Sequence, residues 1–164
     1  YLHYGIFKEL LHPMKTLILI RHANALSCLE ARVQKDFDRP LSPQGEQKAA
    51  LTAQKLLRLG LNPGLVLHSP LKRAAQTAQI ITQTVPAALE ACTELNGLHD
   101  DRDVCEFLAG RMQEATCLAA VGHNPNIAFV LHLFTKQTRH FAPGSFAVLN
   151  FDDPHHPQLV QFEE

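Results

Sequence analysis

An excess of charge of either sign is missing from this sequence. Its 15 Lys and Arg meet 16 Asp and Glu, for a formal net charge of −1. That gives no electrostatic basis for a nucleic-acid or membrane-surface partner. Long apolar runs are missing as well: no stretch approaches the roughly 20 residues a membrane-spanning helix needs. Cysteine is sparse. Cys28, Cys92, Cys105 and Cys117 are scattered without metal-ligand spacing, so reduced, buried or half-buried thiols in a cytoplasmic protein are expected. Internal repeats, low-complexity tracts and linkers are also lacking. What is present is ordinary for a globular chain, with 46% hydrophobic and 19% charged residues, a balance that argues against disorder. A length of 164 residues is enough for one full hydrophobic core. Residues 14–164 are therefore expected to form a single domain. Residues 1–13 precede Met14-Lys15-Thr16, which looks like a natural start. They read as a leader or extension of uncertain origin, without the features of a secretory signal.

The chain is organised around Leu17-Ile18-Leu19-Ile20-Arg21-His22. Four aliphatic residues in a row predict a buried strand, and it ends on two chemically unequal groups. Arg21 is permanently cationic and offers a fork of donors that fits a phosphate. His22 can be neutral near pH 7, leaving a ring nitrogen free to act as nucleophile or base. The polar stretch 26–39 reads as a loop or short helix over the strand end. Ser42, Pro43 and the apolar spacing through Leu57 predict a helix that Gly60 ends. Leu65 to His68 predicts a second strand. It runs through Ser69-Pro70-Leu71-Lys72-Arg73 into a helix, with Pro70 in its first turn and Arg73 about one turn in. Ala87 to Ala91 predicts a short strand, and Asp101 or Asp103 is expected to cap the helix through Leu108. Cys117 to Val121 predicts a fully apolar strand that stops at Gly122-His123-Asn124-Pro125, with a helix following. Residues 144–151 and 158–162 read as closing strands.

Strands alternating with helices predict an α/β fold with a largely parallel central sheet. Parallel strands end along one edge, which gathers Arg21, His22, Arg73 and His123. Two guanidinium groups and two imidazoles around one spot describe a pocket for a tetrahedral dianion. A histidine nitrogen can attack phosphorus in line while the other three groups hold the non-bridging oxygens. Each such donor is commonly worth ~2.7–4 kcal/mol of barrier. With guanidinium groups supplying the positive field, no metal or other cofactor is expected. The adjacent turn residues His155 and His156 are expected to be solvent-exposed rather than a metal site.

Arg21-His22-Ala23 resembles the signature after the first strand of the histidine phosphatase superfamily, the group that includes cofactor-dependent phosphoglycerate mutases. Alanine in place of the usual glycine is common in its small SixA-type phosphohistidine phosphatases. Arg39-Pro40-Leu41-Ser42-Pro43-Gln44-Gly45, Ser69-Pro70-Leu71-Lys72-Arg73-Ala74-Ala75-Gln76-Thr77 and Val121-Gly122-His123-Asn124-Pro125 are similar to the later signatures. The resemblance spans Lys15 to about Leu149. It implies a three-layer α/β/α sandwich, phosphoglycerate mutase-like, with residues 14–164 as one histidine phosphatase domain. It implies His22 as the nucleophile that becomes phosphorylated, and Arg21, Arg73 and His123 as ligands of the phosphoryl oxygens. Arg39 is expected to contact the phosphate or its approach, or else to pair with Asp36 or Asp38. Asn24 is expected to donate a further hydrogen bond.

Larger relatives place a glutamate after the third strand as the acid for an alcohol leaving group, and the region 94–101 has no obvious match. A phosphoramidate leaves as a readily protonated imidazole and needs less help. His99 or Asp100 would be the local acid if one is used. The expected activity is hydrolysis of phosphohistidine on a partner protein, such as a histidine phosphotransfer domain. The alternatives are a phosphatase for a small phosphorylated metabolite and a non-catalytic phosphate-binding module.

Overall fold

The computed structural model describes residues 14–164. The proposed leader, residues 1–13, lies outside them.

Six strands form one sheet: β1 (Thr16–Arg21), β2 (Leu65–His68), β3 (Ala88–Ala91), β4 (Cys117–Gly122), β5 (Phe146–Asn150) and β6 (Gln158–Glu163). Their spatial order is β3-β2-β4-β1-β5-β6. The first four run parallel, β5 is antiparallel to β1, and β6 is antiparallel to β5. Among the described residues five α-helices accompany the sheet: α1 (Cys28–Ala31), α2 (Pro43–Arg58), α3 (Lys72–Thr84), α4 (Asp101–Arg111) and α5 (Asn126–Thr135). Among the described residues no helix is long and apolar enough to cross a membrane.

Strand alternation explains the layers. Side chains point to opposite faces at every second residue, and β1 is apolar at every position from 17 to 20. Ile18 and Ile20 therefore pack on one side with Ala53 and Leu56 of α2 and Ala74, Ala78 and Ile81 of α3. Leu17 and Leu19 pack on the other with Val104 and Leu108 of α4 and Ile127, Val130 and Leu131 of α5. A strand buried on both faces must read as a continuous aliphatic run, and β1 and β4 do. The result is the expected three-layer α/β/α arrangement.

Several local expectations need correction. Asp100, rather than Asp101 or Asp103, caps α4, its carboxylate accepting the Arg102 N–H. Pro70 lies ahead of α3 rather than in its first turn, because the Ser69 hydroxyl takes the Leu71 N–H and α3 starts only at Lys72. Arg73 thus sits at the second helical position. Ser42 caps α2 as expected, accepting from Gly45 N–H at 3.0 Å. The segment 26–39 holds α1 and a single 3₁₀ turn, Asp36–Asp38. All four cysteines are free thiols; Cys92 is buried and the others are half-buried.

Candidate active site

The parallel register sets the strand ends side by side. Arg21 stands opposite Gly122, His68 stands opposite Val121, and the His22 N–H donates to the Gly122 carbonyl. The residues following β1, β2 and β4 are therefore neighbours, as ligand-binding residues of open α/β sheets commonly are. α3 fastens this corner. Thr77 Oγ1 accepts the Ala23 N–H at 3.1 Å and donates to the Arg73 carbonyl, and Gln76 Oε1 accepts the Leu41 N–H at 2.8 Å. Gly45 lies so close to the Asn24 carbonyl that a Cβ there would come within 1.9 Å of its oxygen. Only glycine lets the first turn of α2 approach the chain leaving β1.

Arg21, His22, Arg73 and His123 come together. The His22 and His123 rings are 4.9 Å apart, tilted by 58°, and the Arg73 Nε–H donates to His22 Nε2 at 3.3 Å. His22 Nδ1 is 2.7 Å from the Ala23 carbonyl. A carbonyl only accepts, so the proton is assigned to Nδ1 and Nε2 carries the lone pair. Burial, against the hydrogen bond to Ala23 and with the charges of Arg73, Arg21 and Arg39, pushes His22 down to about 4. At neutral pH its Nε2 is unprotonated and carries a lone pair.

His123 is 6% exposed. Its Nε2 lies 2.7 Å from Ser69 Oγ. Ser69 Oγ accepts from the Leu71 N–H, and its hydroxyl proton is assigned to the bond with His123 Nε2. That puts the ring proton on Nδ1, which is buried with no partner. Burial first, then the neighbouring His22, Arg73 and Arg21, hold His123 at about 3. Arg21 donates through Nη1 to the Phe141 carbonyl at 2.7 Å, and its Nε is a second buried donor with no partner. Burial lowers it from its usual value, but a guanidinium stays charged. Unpaired buried donors are rare in proteins and call for an explanation; here two belong to one cluster.

Beside the cluster lies an open cleft of about 480 Å³, lined by Arg73 and His123 of the quartet and by Asp36, Phe37, Asn96 and Leu98 among others. Gly97, at φ +86°, lies against the His123 ring. Asp36, which the sequence offered with Asp38 only as a partner for Arg39, also meets Arg73. Its Oδ2 accepts from Arg73 Nη2 at 3.0 Å, its Oδ1 from Arg39 Nη1 at 2.8 Å, and its carbonyl from Arg73 Nη1 at 2.9 Å. These bonds, that from Arg39 foremost, hold its carboxyl below the usual aspartate range.

Other residues named from the sequence lie outside the cleft lining. Of the two expectations for Arg39 the structure shows the ion pair: it bonds Asp36 and donates through Nε to the Leu26 carbonyl. Asn24 contributes its backbone, its carbonyl accepting the Ser42 N–H, and does not line the cleft either. His99 and Asp100 are exposed and outside the cleft lining. His156 pairs with Asp153 on an exposed turn. Among the described residues no group of three or more His, Cys, Asp or Glu is placed to hold a metal ion.

The sequence pattern of the histidine phosphatase superfamily (branch 1) matches residues 17–101. That span contains Arg21, His22, Arg39 and Arg73; His123 falls beyond it. An uncharacterized protein of Picosynechococcus sp. (strain ATCC 27264 / PCC 7002 / PR-6) is 45% identical over 118 residues, 68% of this chain and 67% of that one. The human serine/threonine-protein phosphatase PGAM5, mitochondrial, is 34% identical over 79 residues, 48% of this chain but 26% of that protein. Among solved structures, the protein histidine phosphatase SixA complexed with tungstate superposes with a TM-score of 0.81 at 20% identity, covering 91% of this chain and 96% of that one. A protein assigned as phosphohistidine phosphatase SixA, from Nakamurella multipartitia, gives 0.76 at 27% identity, covering 93% and 97%. The fold is thus the phosphoglycerate mutase-like one.

Proposed function

Because the chain belongs to the histidine phosphatase superfamily, which supports a phosphatase activity, we propose that it hydrolyses phosphohistidine on a protein by way of a phosphoryl group carried on His22. His22 Nε2 attacks phosphorus in line. The N–P bond to the substrate imidazole breaks, and the bonding pair returns to that ring, which leaves neutral if its other nitrogen is already protonated. Water then attacks phosphorus on His22, Nε2 leaves with its electron pair, and inorganic phosphate is released. Arg21 Nε, Arg73 and the Nδ1–H of His123 hold the non-bridging oxygens through the transition state. In this reading Ser69 is a positioning residue that keeps the His123 proton on Nδ1. The substrate is a partner such as a histidine phosphotransfer domain, and no metal takes part.

The observation that carries the choice of an N–P bond is Asp36. Among the described residues it is the one carboxyl lining the cleft. Two arginines keep it ionised, so it is no proton donor at neutral pH. An alkoxide leaving group would need such a donor, and an imidazole does not. The test is phosphate release from a phosphohistidine-bearing protein by wild type and His22→Ala, with an alkaline quench to trap phosphoenzyme. Wild type is expected to turn over and to be labelled, and His22→Ala to do neither. Equal rates would end the proposal.

A further inference from the structure

The charges around the quartet cancel to a specific value. Arg21, Arg39 and Arg73 bring three positive charges and Asp36 brings one negative charge, bridging Arg39 and Arg73. Both rings are held neutral by burial. The sum is two positive charges, the match of a single phosphoryl dianion. Asp36 is also the charge that the rest of a substrate meets. Its side chain is 61% exposed and lines the cleft, whereas Arg39 does not. Each carboxylate oxygen has one protein partner and room for another. Of the other exposed side chains that line the cleft, Phe37 and Leu98 are apolar, at 49% and 88% exposure, and Thr93 is polar but uncharged. Past the phosphoryl group, then, the cleft offers, among the described residues, one anion and no spare cation.

We propose that Asp36 is a specificity-determining residue: it excludes substrates that carry a second anionic group next to the phosphoryl group and favours those whose leaving group is neutral or cationic. The proposal rests on the reading of the quartet as a phosphoryl site. It does not depend on phosphohistidine being the natural substrate, since it governs any phosphorylated group entering the cleft. It differs from a purely structural role, in which Asp36 does no more than steady Arg73.

Three probes separate these roles: inorganic phosphate, 2-phosphoglycolate, which adds a carboxylate, and phosphoethanolamine, which adds an ammonium group. Their dissociation constants are measured directly by calorimetry on wild type, Asp36→Asn and Asp38→Asn. Wild type is expected to bind phosphoethanolamine more tightly than phosphoglycolate, with a ratio that shrinks as salt is added. In Asp36→Asn, phosphoglycolate is expected to gain about tenfold relative to phosphate, and phosphoethanolamine to lose a comparable factor. Asp38→Asn, an exposed neighbour outside the cleft, is expected to leave the ratios unchanged. If Asp36→Asn weakens all three probes by one common factor, Asp36 only positions Arg73 and the proposal is overturned. It is equally overturned if wild type shows no preference between the carboxylate and the ammonium probe, a result that needs no variant to fold. If none of the three binds, the phosphoryl site falls and the proposal with it. If they bind as expected while phosphohistidine is not hydrolysed, only the substrate assignment fails.

Discussion

Acidification between pH 7 and 5 should destabilise this protein through two rings at its sheet edge. His22 and His123 sit at about 4 and about 3, against an ordinary value of about 6.5 in an unfolded chain. The folded state therefore binds fewer protons than the unfolded one across this window, and stability rises with pH there. The contribution is complete above pH 6.5 and is lost as pH falls toward the folded values. At pH 5, 1.5 units below the unfolded value, each ring costs about 2 kcal/mol at about 1.36 kcal/mol per unit. Together they cost about 4 kcal/mol, a large part of a typical domain's stability. The shifted carboxylates Glu30, Asp36, Glu90 and Asp153 all move downward from 4.5 or 3.8, so their effects fall at more acidic pH.

The assay is urea unfolding at pH 7, 6 and 5 for wild type, His22→Asn and His123→Asn. With a slope of about 2 kcal/mol per molar urea, the wild-type midpoint should fall by about 2 M between pH 7 and 5. Each variant lacks one titrating ring, so its midpoint should fall by about half as much, whatever its stability at pH 7. Three parallel pH dependences would refute the reasoning, because the acid sensitivity would then lie outside the site.

Three other outcomes follow from the same contacts. Arg73→Lys replaces a fork that bonds His22 Nε2, the Asp36 carbonyl and the Asp36 carboxylate at once with a single ammonium group; kcat/KM on a phosphohistidine protein should fall by about 10²–10³, and a loss under tenfold would remove Arg73 from the chemistry. Ser69→Ala releases the His123 tautomer and should lower kcat by about 5–150-fold, the worth of about 1–3 kcal/mol of hydrogen bonding; unchanged kcat in steady-state kinetics would refute the positioning role. Gly45→Ala would thrust a methyl against the Asn24 carbonyl and should lower stability by about 1–3 kcal/mol in urea unfolding, despite alanine's better helix propensity; a neutral or stabilised variant would show that α2 does not press on that turn.

The layers and the convergence of the strand ends were legible because both follow from one-dimensional patterns. Leu17 to Ile20 and Leu118 to Val121 are apolar without interruption, which requires burial on both faces, and parallel pairing then fixes where Arg21 and His123 emerge. Choices among chemically equivalent neighbours were not legible. Asp100, Asp101 and Asp103 are all good helix caps, and only the backbone angles at 100 select one. Pro70 suits a first helical turn as well as the position it takes, and the Ser69–Leu71 contact decides. One local signal was readable and went unused: Ser27 and Glu30 have the spacing of a capping box, which α1 forms. Asp36 carried a signal only as a partner for Arg39. Its partnership with Arg73 links residues 37 apart in sequence and depends on how segment 26–39 folds back across the strand ends.

That last contact explains how the His22 ring can be kept neutral among cations without driving them apart. Arg73 has to approach His22 Nε2 for its charge to act on a phosphoryl group, yet the same closeness, with Arg21 and Arg39 nearby, accumulates like charge in a partly buried corner. A carboxylate between Arg39 and Arg73 relieves that repulsion and fixes the guanidinium plane, while leaving the Nε–H of Arg73 aimed at the ring. A neutral amide at position 36 would still accept one hydrogen bond but would not offset the charge. The carboxylate therefore serves the arrangement of the cations and, being exposed to the cleft, the choice of what is admitted beside them.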